Sequence, residues 1–287
     1  MAIQLCPTGS WRGLSRVVDE VPFAADLYRG TAGYYDRYRL PYPEGMLTDL
    51  IRRADVPERG RLLDLACGTG QLAFALRGWF SEVWAVDQEP DMVEVVRAKA
   101  AARRAGDVRP IVSSAESLDA EPDCFDLAVI GNAFHRLNRD LVARRVLQWL
   151  KPGGYLALCW SSGPWSGEDD WQRALAAMLD RWKAVLGAQG RVPTGWDLPQ
   201  KRRPDLELLA DAGFEARGRH EFFIEHRWNL PELAGYIRST SFLPPAVLGD
   251  QAAAFDADLA ATLVQHGDSG AFTQTVDFAY DLARKPA

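Results

Sequence analysis

The chain has 287 residues, 47% of them hydrophobic, which is enough for one α/β domain of about 200 to 250 residues and a cap. Its net charge is −6 and its basic clusters are short and separated, so we expect no nucleic-acid partner, because nucleic-acid enzymes carry basic surfaces. No apolar run approaches the roughly 18 residues that span a bilayer, and the N-terminus has no secretory signal pattern, so we also expect no membrane partner.

Residues 1–43 form an N-terminal segment rich in tyrosine. The stretch Leu27–Tyr42 predicts a helical lid over the domain that follows, ended by Pro41 and Pro43. The next segment, Glu44–Arg53, has apolar residues at helical spacing and predicts a helix.

The most informative stretch runs from Arg61 to Asp87. An apolar run ends in a glycine turn at Gly68 and Gly70, a helix-compatible segment follows, and a second apolar run ends in Asp87. Glycines let the backbone approach a ligand closely, and a carboxylate at the end of the second strand can accept both ribose hydroxyls. The pattern therefore predicts a site for an adenosine-containing cofactor.

The choice of cofactor depends on the residues around the glycines. Gly68–Ala73 satisfies the dinucleotide pattern G-x-G-x-x-G/A, which permits NAD. Asp64, however, lies inside the strand before the glycines, where a carboxylate would repel a pyrophosphate. It could meet the cationic amino group of S-adenosylmethionine, which NAD lacks, so we favour S-adenosylmethionine.

Further strands and helices alternate up to Trp160, which predicts a parallel sheet with helices on both faces. We assign residues 44–160 to this core, residues 161–213 to a helical cap insertion, and residues 214–287 to the last strands with an additional helical segment. The predicted strands here are Val108–Ser114, Cys124–Ile130, Leu150–Leu158, Phe214–Trp228 and Phe272–Arg284, and the helices are Glu89–Ala105, Asp140–Leu150, a tryptophan-rich helix ending at Leu186, and Asp205–Ala212.

As a set, these motifs resemble the class I S-adenosylmethionine-dependent methyltransferases. More narrowly, they resemble the small-molecule branch with trans-aconitate methyltransferase-like and antibiotic-tailoring enzymes. The resemblance covers Tyr34–Trp160 and continues weakly to the last strand. It implies a Rossmann-like, seven-stranded, mostly parallel sheet with helices on both faces and a helical lid or cap over the acceptor. It also implies S-adenosyl-L-methionine as cofactor, with S-adenosyl-L-homocysteine as product.

The resemblance also implies which residues bind the cofactor. Tyr35 and Arg39 would cover its methionine end, with Arg39 near the carboxylate. Ser114 stands where many relatives have an aspartate that binds the adenine amino group, so that contact is weakened, while Ala115 still matches. The remaining implied cofactor residues are Asp64, Ala66, Gly68 and Gly70 at the methionine end, Asp87 at the ribose, Gln88 and Glu116 near the adenine, and Asn132 and Ala133 beneath the methionyl group.

His135 is the candidate general base, because several relatives have a histidine in the same Ala-Phe-His stretch and imidazole is a suitable base near neutral pH. The alternative is a histidine that orders its loop by hydrogen bonding. No cysteine spacing suggests a metal site, and the scattered cysteines favour a reducing cytoplasm as the location.

Acceptor residues are expected in the cap. Glu168 and Asp169 open the tryptophan-rich helix and could attract an amino sugar, or simply complement the helix dipole. Trp165 and Trp171 could border a ring-shaped acceptor, or pack in the core. We predict N-methylation of an aminoglycoside-like amino sugar in antibiotic biosynthesis. The alternatives are O-methylation of a hydroxyl or of a carboxylate, the latter with Arg238 beside the methyl group, and a non-catalytic scaffold or regulator.

Overall fold

A computed structural model describes residue 23 and residues 26–195, 197–266 and 270–287. Its centre is a seven-stranded sheet with the strand order β3-β2-β1-β4-β5-β7-β6. Strands β1 to β5 are parallel to one another, and β7 runs antiparallel to both of its neighbours. The strands are β1 (Gly60–Leu65), β2 (Phe80–Asp87), β3 (Val108–Val112), β4 (Phe125–Gly131), β5 (Leu150–Ser161), β6 (Glu215–Asn229) and β7 (Ala271–Arg284). The predicted Rossmann-like, mostly parallel sheet is thus confirmed.

Helices cover both faces of this sheet. Strand residues alternate between the faces, so that Leu62 packs with α2, α3 and α4 on one side, whereas Leu63 packs with α5 and α8 on the other. The helices are α1 (Ala32–Tyr38), α2 (Glu44–Arg53), α3 (Gln71–Leu76), α4 (Pro90–Ala102), α5 (Arg139–Trp149), α6 (Asp170–Val185), α7 (Leu198–Arg202), α8 (Asp205–Ala212), α9 (Leu230–Arg238), α10 (Pro245–Leu248) and α11 (Ala252–Leu263). Among the described residues, no helix is long and apolar enough to cross a membrane.

A separate hydrophobic cluster lies beyond the end of β5. Strands β6 and β7 pair over their whole lengths, but β5 pairs with β7 only as far as Ser161, opposite Phe278. The parts of β6 and β7 that extend past this point contribute Trp228 and Phe272 to a cluster with α6, α9, α10 and α11. The helices of this cluster, which we call the cap cluster, come from two insertions, one after β5 and one between β6 and β7. Our predicted cap insertion ended at residue 213, and a cap role for these helices stays a prediction.

Helix α1 is shorter than the predicted Leu27–Tyr42 helix. It ends at Tyr38, and Arg39 is already extended. Leu40 precedes Pro41, and the residue before a proline is disfavoured in the helical conformation, so the helix cannot continue to Tyr42. Helix α1 contacts α4 and α9. Its role as a lid stays a prediction, and residues 1–22 of the predicted segment lie outside the described residues.

Candidate functional site

The glycine turn after β1 forms the floor of the candidate site. Ala66, Gly68 and Gly70 all have positive φ values, of 55°, 55° and 79°. A Cβ at Gly68 would lie 3.3 Å from the ring of Tyr35, which stands over the turn. At position 68, only glycine permits both the positive φ and the close approach of Tyr35 without strain. Burial raises the pKa of Tyr35 to about 12, so its hydroxyl is protonated at neutral pH.

Asp87, at the end of β2, is oriented by the same turn. Its Oδ2 accepts a hydrogen bond from the backbone N–H of Gly68 at 2.8 Å, and its Oδ1 accepts one from the N–H of Glu89 at 2.9 Å. The side chain is 9% exposed, and this burial raises its pKa. Each carboxylate oxygen can accept a second hydrogen bond, so both can receive a ribose hydroxyl.

Asp64 lies beneath the turn, on the α3 side of the sheet. Its Oδ2 accepts a hydrogen bond from the N–H of Ala73 at 2.8 Å, while its buried Oδ1 has no hydrogen-bond partner among the described residues. Burial raises the pKa of Asp64 to about 8. Near neutral pH this carboxyl group therefore keeps its proton. It stabilises the start of α3, and its second oxygen could form one further hydrogen bond.

A cleft of about 250 Å³ opens above the turn at the carboxyl ends of the strands. Most of the predicted cofactor residues line it, and these are Tyr35, Ala66, Gly68, Asp87, Gln88, Ser114, Ala115, Glu116, Asn132 and Ala133. Glu116 also accepts a hydrogen bond from the N–H of Asn138 at 3.0 Å, and Ser114 accepts one from the N–H of Ser117 at 3.1 Å. The structure thus brings together the residues that the resemblance implied.

Arg39, Asp64 and Gly70 are the predicted cofactor residues that do not line the cleft. The guanidinium of Arg39 donates to the side chain and the carbonyl of Ser239, at 2.8 and 3.2 Å. It also stacks on the ring of Tyr35, 4.8 Å from its centroid. Arg39 therefore ties α1 to α9 behind Tyr35, and its predicted contact with the cofactor carboxylate stays untested.

Two charged residues of the cleft were absent from our sequence-based prediction. Glu89 is 6% exposed, lines the cleft, and has a buried Oε1 without a hydrogen-bond partner among the described residues. Arg136 also lines the cleft, and its buried Nη1 likewise has no partner there. Their positions beside Asp87 and His135 are the sequence signal that could have identified them. Other lining residues that we did not predict are Phe23, Leu27, Tyr28, Met92, Ser113, Gly131 and Leu137.

Asn132 and Ala133 line this cleft and also a second, larger cavity of about 600 Å³. The second cavity lies on the α5 and α8 side of the sheet. Its walls come from the ends of β4 and β5, from α7 and α8, and from β6 and β7. The two spaces therefore meet at the segment that follows β4, where the resemblance places the methionyl part of the cofactor.

His135 lines the second cavity rather than the cleft. Its Nε2 accepts a hydrogen bond from Nε of Arg136 at 3.1 Å. Burial and the positive charges of Arg136 and Arg139 lower its pKa to about 3, so the imidazole is neutral near pH 7. A neutral imidazole has one ring nitrogen with a free lone pair. In this structure that lone pair faces Arg136, which fits the alternative of a loop-ordering histidine and leaves the predicted base role untested.

The five predicted acceptor residues line neither the cleft nor the second cavity. Trp165 and Trp171 belong to the cap cluster, where Trp171 is 5% exposed and donates to the carbonyl of Thr273. Glu168 and Asp169 are exposed, and Asp169 forms a capping box that starts α6.

Arg238 also lines neither space. Its guanidinium forms an ion pair with Asp256 at 2.8 Å. Packing, a helix cap and an ion pair thus give these five residues structural roles, and their predicted acceptor contacts stay untested.

The donor set of the cleft fits S-adenosylmethionine. Asp87 has acceptors for a diol, Glu89 has a buried oxygen without a hydrogen-bond partner among the described residues, and a Cβ at Gly68 would crowd the ring of Tyr35. In residues 23, 26–195, 197–266 and 270–287, no cluster of three or more histidine, cysteine or acidic residues could hold a metal ion.

Comparisons with known proteins agree with this geometry. Residues 62–154 match the family described as a methyltransferase domain. An uncharacterised methyltransferase of Mycobacterium tuberculosis is 29% identical over 157 residues, which cover 54% of this chain and 59% of that protein. The demethylmenaquinone methyltransferase of Geobacillus kaustophilus is 32% identical over 120 residues, covering 40% and 51%. The chain thus spans between half and two thirds of the length of these relatives.

Solved structures share the fold at low identity. The YcgJ protein from Bacillus subtilis superposes with a TM-score of 0.53 at 17% identity, covering 85% of this chain and all of that chain. The [4+2]-cyclase SpnF superposes with a TM-score of 0.51 at 22% identity, covering 87% and 84%. Residues 62–154 are therefore similar to a methyltransferase domain, and the chain shares the fold of these solved structures.

Proposed function

We propose that this protein transfers a methyl group from S-adenosylmethionine to a small-molecule acceptor. The observation that carries the proposal is the Asp87 carboxylate, whose two oxygens are held by backbone N–H groups at the cleft with acceptor capacity remaining on each. When bound, S-adenosylmethionine supplies a methyl group on a positively charged sulfur that a nucleophile displaces in line.

The protein's own residues have to bind, align and exclude water for such a transfer. Asp87 and the turn at Gly68 would bind the ribose and methionine parts, and the ring of Tyr35 would shield them from solvent. Asn132 and Ala133, which line both spaces, would lie where this site adjoins an acceptor in the second cavity. Because the sulfur already activates the methyl group, alignment at this junction matters more than acid catalysis.

Within this activity we favour N-methylation of an aminoglycoside-like amino sugar, as in antibiotic biosynthesis. Glu168 and Asp169, which first suggested a cationic acceptor, are exposed at the start of α6 and do not support it. The support comes instead from carboxylates in the second cavity, Asp205 and Asp281.

A second candidate is O-methylation of a carboxylate or hydroxyl. The observation that favours it is the buried, unpartnered Nη1 of Arg136, which could bind an acceptor carboxylate. Arg238, our first candidate for that role, is paired with Asp256.

Calorimetric titration with S-adenosylhomocysteine tests the proposal first. Micromolar binding is expected, and no binding would contradict the methyltransferase function. Transfer from radiolabelled S-adenosylmethionine to an amino cyclitol, a neutral polyol and a tricarboxylate then distinguishes the acceptor classes. Cofactor binding without transfer to any acceptor is the result that the scaffold alternative predicts.

A further inference from the structure

The second cavity has the size of a small-molecule site. Its volume of about 600 Å³ lies within the range of roughly 300 to 1,000 Å³ typical of ligand pockets. It combines an indole, an amide, an arginine and two carboxylates, from Trp160, Gln200, Arg219, Asp205 and Asp281. Because it adjoins the cofactor cleft at Asn132 and Ala133, a molecule in it would lie next to the point of methyl transfer.

Asp281 is the unusual group in this cavity. It sits on β7, which is flanked by β5 and the edge strand β6, and is 8% exposed, yet among the described residues no hydrogen bond is donated to its carboxylate. Its nearest cation is Arg219 on β6, and their closest approach is 3.9 Å. A buried carboxylate without a hydrogen-bonded partner is costly, and a ligand that donates to it would remove that cost.

Arg219 compensates the charge of Asp281 only in part, because other groups also hold its guanidinium. Its Nε donates to Glu221 at 2.9 Å, and its plane lies 3.8 Å from the ring centroid of Trp160. The cross-strand register places Arg219 directly opposite Asp281, where a closer ion pair would be possible. The contacts of Arg219 with Glu221 and Trp160 keep its guanidinium from forming that closer pair.

The other carboxylate of the cavity has closer partners than Asp281 does, although the buried Oδ1 of Asp205 has an ion pair and no hydrogen bond among the described residues. Asp205 pairs with Arg139 at 2.8 Å and accepts a hydrogen bond from Gln200 at 2.6 Å. His135 is neutral and accepts from Arg136. Asp281 is therefore the less compensated of the two carboxylates in the cavity.

We infer that the second cavity is the acceptor pocket and that Asp281 binds a protonated amine of a hydroxylated acceptor. This inference rests on the proposed methyltransferase function. The amine bound at Asp281 anchors the acceptor and is not the atom that receives the methyl group, because a protonated nitrogen has no lone pair for attack. The methylated atom would be another atom of the acceptor, placed beside Asn132 and Ala133. Gln200 and Asp205 supply the amide and carboxylate groups that hydroxyls of such an acceptor can contact.

The test uses protein saturated with S-adenosylhomocysteine and two matched cyclitols. Calorimetric titration with 2-deoxystreptamine, which carries two amines, is compared with titration by myo-inositol, which carries none. We expect the diamine to bind the wild-type protein at least tenfold more tightly. Asp281→Asn keeps the side-chain shape and should lose this preference without changing affinity for S-adenosylhomocysteine. Asp277→Asn, an exposed position on the same strand, is the matched control and should behave as wild type.

Three results would overturn the inference. They are equal binding of both cyclitols, binding of neither, or an unchanged diamine affinity in Asp281→Asn. In each case intact S-adenosylhomocysteine binding would leave the proposed function standing. Loss of S-adenosylhomocysteine binding by the wild-type protein would instead remove the proposed function itself, so the two failures are distinguishable.

Discussion

Replacing Asp87 is the most direct test of how this protein binds its cofactor. The carboxylate performs two tasks, since it accepts hydrogen bonds from Gly68 and Glu89 and presents its remaining lone pairs to the cleft. Asp87→Ala removes both tasks. Asp87→Asn keeps the shape but turns one acceptor oxygen into an amide donor that faces an N–H group.

The expected size of the effect follows from these contacts. A hydrogen bond to a charged acceptor contributes about 1.5 to 3 kcal/mol, so losing two ribose contacts costs about 3 to 6 kcal/mol. That energy corresponds to affinity for S-adenosylhomocysteine that is weaker by a factor of about 10² to 10⁴. Asp87→Asn loses one ribose acceptor and should weaken binding by a factor of about 10 to 10².

Calorimetric titration of each variant with S-adenosylhomocysteine measures the effect, and circular dichroism checks that the variants are folded. Glu94→Gln is the control, because Glu94 lies on the next helix with its side chain 71% exposed. Its affinity should equal that of wild type. A folded Asp87→Ala protein that binds within twofold of wild type would refute the placement of the ribose at Asp87.

Three further predictions concern single side chains. The imidazole of His135 should stay neutral down to about pH 4 in an NMR titration, because its pKa is lowered to about 3, and a midpoint above pH 5 would contradict its burial between arginines. The raised pKa of Asp64, about 8, means that the folded protein keeps a proton that the unfolded chain loses near pH 4. As pH rises from about 4 to about 8, Asp64 should therefore make the free energy of unfolding fall by up to about 1.4 kcal/mol per pH unit. Urea titrations should show a smaller slope in Asp64→Asn, and an unchanged slope would contradict the raised pKa. Gly131→Ala should destabilise by about 1 to 3 kcal/mol in the same assay, since its Cβ would lie 2.7 Å from the Tyr42 hydroxyl, whereas Gly45→Ala on open space should not.

Features governed by local sequence were predicted well. Helix α2 follows Pro43, and α8 ends at Gly213, whose φ of 110° is suited to glycine, so both helices have the predicted bounds. The glycine turn and Asp87 were equally accessible, because a strand, a turn and a strand end determine where their backbone groups lie.

Features governed by tertiary packing were not predicted. The charge of Arg238 suggested an acceptor contact, but its partner Asp256 comes from a different helix, and sequence spacing does not reveal that pairing. Likewise, the part of β6 that extends past the end of β5 has few buried residues, so apolar and polar residues alternate only weakly along it. Its pairing with β7 is nevertheless long. Asp281 was missed because its long ion pair depends on the other contacts of Arg219 on the neighbouring strand, which the sequence does not reveal.

Asn132 shows how one residue can serve both spaces of the site. Its φ of 51° is a left-handed conformation that asparagine tolerates better than most residues. In that conformation its N–H donates to the carbonyl of Cys159, its Oδ1 accepts from the N–H of Ser161, and its Nδ2 faces the hydroxyl of Tyr42 at 3.3 Å. These bonds tie the end of β4 to the end of β5 and to the segment before α2. The junction between cleft and cavity is therefore held by both strands, so cofactor and acceptor would meet at a rigid position, as alignment for an in-line transfer requires.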